Sequence, residues 1–474
     1  MKYILLLWAC LTLSLGLLGQ KKSVWLYLNE DVEYKTMLDL ERDRLGDHHY
    51  SRWLHAIGTR LEEKDIQQIV SLEMISQITV QQLFTYQKSL AQEPKMGFAL
   101  EQIGAELFLE RGLDGDGVSI GVIDGGFLNA DKIEPLADLF ESGSIKAYRD
   151  YITPDLKPYE GIKALDDRHG TDVLQLIGGK SIKTGIIHGL ATASDYYLAR
   201  TDHGAYEKKI EEVYLVQALE WMDSLEIKLV NISLGYTEGF ENTSDNYRPV
   251  DINGTSAISR AVHHASDQEG MLIIISAGND GDRNWRVLST PADARGALTV
   301  GATKFRHWDK MAFSSVGPDE LPYLKPEISC FASEGTSFSA PIITGMAALV
   351  WQALPHLTNE EVKDMVLRSG HLYPFGNNYV GYGVPVASRI IEQLDGKSVE
   401  LPERIKVYKD TYRLTKKCKQ HYVVYQKADK WRVLSESYTR VEGIKPKIKR
   451  LDNASFTTVI MDNTKVYELQ WMKE

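Results

Sequence analysis

The chain has 474 residues, 43% of them hydrophobic and 25% charged, with a formal net charge of −11; that length allows two or three domains and at least one large core. The acidic balance and the lack of a lysine or arginine block exclude a phosphate-backbone footprint, so nucleic acid and anionic membrane surfaces are not expected partners. Three cysteines are too few for a disulfide scaffold.

Residues 1–19 combine Lys2, an apolar run from Ile4 to Leu18 and Gly19, the layout of a signal peptide and short for a membrane span. Cleavage after Gly19 would give a secreted or periplasmic protein with no transmembrane span; lipidation at Cys10 is the alternative. Loss of Cys10 leaves Cys330, in an apolar setting that reads as inert core, and Cys418, and a single bridge between these two stays open.

Residues 20–95 read as a small α+β unit. A strand "VWLYL" is followed by the helical pattern "EYKTMLDLERDRL", the alternating "YSRWLHAIGTRL", a second helical run "EEKDIQQIVSL" and a closing strand "ISQITVQQL". The polar "YQKSLAQEPKM" then serves as a linker. Over residues 96–395 the texture changes. Near-continuous apolar strands ("VSIGVID", "DYYLAR", "KLVNISLG", "MLIIISAGN", "GALTVGA") alternate with helical stretches such as "KKIEEVYLVQALEWMDSL", the signature of an α/β fold with a mostly parallel sheet covered on both faces. Residues 396–474 carry short β-like runs, among them "HYVVYQ" and "TTVIM", and read as a small β-rich domain.

Function in a parallel sheet sits at the carboxyl ends of its strands, where Asp124, Ser233 and Asn279 fall. Asp124 ends "GVIDGG", either as a turn former or as a carboxylate presented by a freed backbone. His169 precedes an apolar helical run beside Asp166 and Asp167, as a surface cap or a base. Asn279 closes "IIISAGNDG", as a left-handed turn residue or an amide donor. Ser337 lies in "EGTSFSAPIITGMAALV" between a glycine turn and an apolar helix, as an N-cap or a nucleophile. Serine-based acyl transfer needs a nucleophile, a base, an orienting carboxylate and an oxyanion donor, and these four residues supply one candidate each.

The blocks "GVIDGGF", "RHGTDV", "VNISLGY", "SAGNDG" and "GTSFSAP", in this order, resemble the subtilisin-like serine proteases, the subtilases, over roughly residues 97–390. The resemblance implies a subtilisin-like three-layer fold with Ser337 as nucleophile, His169 as general base and then acid, Asp124 as orienting carboxylate and Asn279 as oxyanion donor. It implies that Ser233, Leu234 and Gly235 carry the substrate as an added strand, and that Ala277 and Gly278 line the pocket before the cut. It makes the amino-terminal unit a propeptide that assists folding and caps the site, processed between about 84 and 100. The expected protein is a secreted endopeptidase made as a zymogen, acting on polypeptides with its own prodomain as partner. The alternative is a catalytically silent fold that only binds peptides.

Three departures from the family pattern stand out. Asp172 replaces a second histidine one turn beyond His169; a carboxylate near the imidazole would favour its charged form, so Asp172→Asn is expected to move the acidic limb of the rate profile down in pH. The stretch from Pro326 to Ser337 is short. No cofactor is required, and calcium stays open as a ligand although no site for it is assignable: "DGDG" at 114–117 lacks the later ligands of a loop site and reads as a turn.

Overall fold

The computed structural model describes residues 22–472 apart from 30–31, 47, 52–55, 71, 73, 81–95, 162–165 and 203–206. The expected signal segment and most of the expected processing region therefore lie outside the described residues. Two compact units divide at residues 93 and 94.

In the amino-terminal unit, β1 (Lys22–Leu28), β2 (His48–Ser51), β3 (Ala56–Leu61) and β4 (Ile75–Val80) form an antiparallel sheet in the order β2-β3-β1-β4. Helices Tyr34–Leu45 and Glu63–Val70 supply Met37, Leu45, Ile66 and Ile69 to a core completed by Leu26, Leu28, Ile57 and Leu61. The alternating stretch read from sequence resolves into β2 and β3, so the unit is α+β as its pattern requires.

The second unit is built on β5 (Ser119–Asp124), β6 (Ile145–Asp150), β7 (Asp195–Arg200), β8 (Leu229–Ile232), β9 (Leu272–Ser276), β10 (Leu298–Thr303) and β11 (Ile328–Phe331). Their order is β11-β10-β9-β8-β5-β7-β6, and every pairing is parallel. Strand β5 is the point where the winding reverses, because the chain fills the β7 and β6 side first and then crosses to β8. Crevices form outside the carboxyl ends at such a reversal.

One face of the sheet is covered by helices His169–Gly178 and Ala340–Ala353, with Val173, Ile177, Ile343, Met346 and Leu349 fully buried. Helices Lys209–Ser224 and Ala257–Asp267 cover the other with Leu215, Met222, Ile258 and Val262. This is the three-layer, mostly parallel fold expected from the sequence. Among the described residues no helix is long and apolar enough to cross a membrane.

The carboxyl-terminal region adds β12 (Glu403–Val407), β13 (Thr411–Arg413), β14 (His421–Lys427), β15 (Val433–Arg440), β16 (Lys447–Lys449), β17 (Phe456–Met461) and β18 (Lys465–Trp471). Five of these form a mixed sheet, β12-β18-β17-β14-β15. The sheet is not separate from the α/β layers. Leu372 and Val380 share one apolar cluster with Val423, Tyr425, Val433, Ile460 and Val466. Asn378 ties the seam by donating to the Gly317 carbonyl (3.0 Å) and accepting from the Val433 N–H (2.9 Å).

Inside the β region Lys427 is fully buried and donates to Glu468 at 2.9 Å, and the second Glu468 oxygen accepts from the Thr458 hydroxyl at 2.7 Å. Burial pushes the Lys427 pKa down, and Glu468 opposes that push. Removing one partner strands a buried charge, at a cost of about 3–5 kcal/mol. Glu468→Gln is expected to lower unfolding stability by that amount in chemical denaturation; a loss below about 1 kcal/mol would show that the ammonium finds other acceptors or loses its proton cheaply.

Candidate active site

Asp124 is the last residue of β5, fully buried, and its Oδ1 accepts from the Gly125 N–H (2.8 Å) and from His169 Nδ1 (2.7 Å). A carboxylate only accepts, so Nδ1 carries the proton and Nε2 carries the lone pair. Asp124 Oδ2 is also buried and finds no hydrogen-bond partner among the described residues. His169 opens the helix that lies against β5, with about a quarter of its side chain exposed and its ring 5.5 Å from that of Phe338.

Glycine brings these two turns together. A Cβ at Gly170 would lie 2.6 Å from the Gly126 carbonyl and 2.9 Å from Asp124 Cβ, and one at Gly126 would lie 2.6 Å from the Asp167 carbonyl. No side chain fits at either contact, which is why "DGG" and "RHG" carry glycine there.

Ser337 sits in the 3-10 turn Thr336–Phe338, ahead of the helix Ala340–Ala353. Its hydroxyl donates to the Ser233 carbonyl (3.2 Å), and the Ser233 hydroxyl returns a bond to the Ser337 carbonyl (3.0 Å). It is therefore no N-cap. Asn279 Oδ1 accepts from the Thr336 N–H (2.8 Å) and hydroxyl (3.1 Å), so the amide oxygen is held inward and Nδ2 is the end presented elsewhere. The left-handed turn position that a lone Asn might have filled belongs to Gly278, with φ of 106°.

Ser337, His169, Asn279, Ser233, Leu234, Gly235 and Gly278 line a single cavity of about 290 Å³ at the carboxyl ends of the strands. Ala277 does not line it, correcting the sequence expectation. Alternation along the extended chain turns its neighbours Ser276 and Gly278 to the cavity and sends the Ala277 side chain into the apolar core. The Asp172 carboxylate accepts from Arg168 Nε at 3.3 Å, one turn back on the exposed helix face, so an arginine offsets its charge. The "DGDG" segment is a turn, with Asp114 Oδ1 accepting from the Asp116 N–H (3.2 Å) and from Gln352 (3.0 Å). Carboxylates gather instead at Asp202, Glu207 and Glu211. Cys330 and Cys418 are free buried thiols, and burial pushes the Cys330 pKa well up, as befits inert core.

Three contributors were not anticipated. Thr336 aims the Asn279 amide. Ser289 lies between the cavity walls, where a Cβ on Gly235 would come within 2.0 Å of its hydroxyl oxygen. Arg200, buried at the end of β7, donates to Asp167 (2.7 Å), to Asp150 (3.4 Å) and to the Gly125 carbonyl (3.0 Å), clamping both turns that carry Asp124 and His169. A charged residue closing the apolar run "DYYLAR" is the one signal of it in the sequence.

A subtilase family model matches residues 115–383. Subtilisin NAT of Bacillus subtilis subsp. natto is 24% identical over 348 residues, covering 70% of this chain and 80% of the relative. Subtilisin of Bacillus pumilus is 26% identical over 301 residues, covering 60% of this chain and 95% of the relative. Among solved structures, the CspB protease of Clostridium perfringens aligns with a TM-score of 0.49 at 16% identity, covering 64% of this chain and 98% of that one. The family match spans more than half of the residues and takes in this serine, histidine and aspartate, so the chain belongs to the subtilase family and is a serine-type endopeptidase.

Proposed function

We propose that the protein is an exported zymogen whose mature form cleaves polypeptides through Ser337, His169 and Asp124. The observation that carries this reading is the 2.7 Å bond from His169 Nδ1 to a buried Asp124, beside a cavity that also holds Ser337. Rotation of the Ser337 hydroxyl from the Ser233 carbonyl toward His169 Nε2 readies it for attack. As Oγ bonds to the scissile carbonyl carbon, its proton passes to Nε2, and Asp124 stabilises the resulting imidazolium. Asn279 Nδ2 and the Ser337 main-chain N–H donate to the oxyanion. The imidazolium then protonates the leaving amine, and water repeats the sequence on the acyl-enzyme.

The substrate would lie along Ser233–Gly235 as an added strand, with main-chain bonds supplying affinity and side-chain pockets selectivity. The amino-terminal α+β unit would act as the prodomain, assisting a parallel sheet that is slow to form. Export to the periplasm or the medium follows from the layout of residues 1–19.

A fluorophosphonate probe with peptide mapping tests the reading: a single adduct on Ser337 of the processed chain is expected. An unlabelled, correctly folded chain would favour a silent, peptide-binding fold instead. Asn279→Ala should lower kcat about 10²–10³-fold with little change in KM, the magnitude measured when a subtilisin loses its oxyanion-hole asparagine. With Arg168 offsetting Asp172, Asp172→Asn should leave the acidic limb of the rate profile in place; a downward move would restore a direct link from this carboxylate to the imidazole.

A further inference from the structure

The Asn279 side chain is aimed by Thr336, and its backbone is held by a second segment, the loop 311–315 beyond β10. The Ser315 N–H donates to the Gly278 carbonyl (3.1 Å), the Asp280 N–H donates to Ser315 Oγ (3.1 Å), and the Gly281 N–H donates to the Phe313 carbonyl (2.7 Å). Both peptide neighbours of Asn279 are thus tied to one loop. The approach is close enough that a Cβ on Gly281 would run into the Ser314 carbonyl.

Lys310 gathers that loop. Its ammonium donates to the carbonyls of Met311, Ala312 and Ser314, each at 2.9 Å. An ammonium has three hydrogens, so all of its donors are committed there. Carbonyl oxygens converging on one point repel one another unless a positive group sits between them, and Lys310 supplies that group from within the chain. The other side of the loop is pinned to β10, where the Met311 N–H donates to the Ala302 carbonyl (2.9 Å) and Ser314 Oγ accepts from the Ala302 N–H (2.9 Å). The Lys310 N–H donates in turn to Glu436 Oε1 (3.1 Å), and Glu436 lies in the middle of β15. A continuous run of hydrogen bonds therefore leads from the carboxyl-terminal sheet, through Lys310 and its loop, to the turn that carries Asn279.

We infer that Lys310, seated by Glu436, is a positioning residue for the oxyanion donor, which makes the carboxyl-terminal sheet a working part of the active site. The inference rests on the reading of Asn279 as that donor. An oxyanion exists only during the chemical step, so an effect carried through Asn279 falls on kcat and spares KM. Plain support of the seam between the two sheets is the rival role, and it predicts losses that do not depend on which residue stands at position 279.

The test compares the processed protein carrying Lys310→Met, Glu436→Ala, Asn279→Ala, and Lys310→Met together with Asn279→Ala, with rates counted per fluorophosphonate-titrated serine. Lys310→Met keeps the length of the side chain and removes the cation. It should lower kcat about 10–10²-fold with KM within about twofold, since a displaced donor costs less than a missing one. Glu436→Ala should lower kcat in the same way, and Glu436→Gln, whose amide oxygen can still accept from the Lys310 N–H, should lose less. The double variant should match Asn279→Ala alone, because no donor is left to misplace. Additive losses, or a raised KM beside an unchanged kcat, overturn the inference and leave Lys310 as plain support; equal losses in Glu436→Gln and Glu436→Ala overturn the part given to the carboxylate. If Lys310→Met fails to fold by circular dichroism, Glu436→Ala, alone and paired with Asn279→Ala, decides by the same criteria. An unchanged kcat in Asn279→Ala would sink the oxyanion reading and this inference with it. A fall there, beside parent-like rates in Lys310→Met and Glu436→Ala, sinks the inference alone.

Discussion

Ser337→Ala is expected to lower kcat about 10⁶-fold, the loss known for the same change in a subtilisin, and to leave the precursor at full length. The substitution removes one atom and no apolar packing. Its structural cost is the hydroxyl's 3.2 Å bond to the Ser233 carbonyl, a neutral hydrogen bond worth about 1 kcal/mol. The fold should therefore survive, and the variant should still bind peptides along Ser233–Gly235. Steady-state hydrolysis of a peptide anilide, intact-mass measurement of the precursor and peptide affinity separate these outcomes. Residual turnover within a hundredfold of the parent would place the nucleophile elsewhere. A precursor that is trimmed all the same would show that another protease activates the chain.

Asp124→Asn should cost about 10⁴-fold in kcat at neutral pH with the fold intact. The local geometry explains why neither orientation of the new amide rescues the site. With its oxygen in the Oδ1 position, the amide still accepts from Gly125 and His169, but the charge that supports the imidazolium is gone and an NH₂ group occupies the partnerless buried Oδ2 position. Turned the other way, its NH₂ faces the Gly125 N–H and the Nδ1 proton, and the ring is driven to the wrong tautomer. A loss smaller than tenfold in kcat/KM would show that Asp124 merely shapes the turn.

Much of this was legible in the sequence because it is local. Unbroken apolar strands alternating with helices signal a parallel sheet, and glycine beside Asp124 and His169 marks two turns that must approach closely. What was not legible depends on residues far apart in the chain. Arg200 meets Asp167 and Gly125 only because β7 pairs with β5. Thr336 orients Asn279 across a separation of 57 positions. Ala277 was misplaced by putting two consecutive residues, Ala277 and Gly278, on one wall, although strand alternation turns them to opposite sides. The Arg168–Asp172 pair was within reach, since its i,i+4 spacing is the ordinary helical ion-pair register.

The seam between the α/β layers and the carboxyl-terminal sheet bears on how the enzyme ages. Residues 395–402 cross between them as an exposed segment with little regular structure, while the shared cluster around Val380 and Tyr425 holds the two sides together. A cut in that segment would divide the covalent chain and leave the apolar contacts in place. For a protease that meets copies of itself, covalent integrity and catalytic lifetime thereby become separate properties, and wear at this point does not end the working life of the molecule.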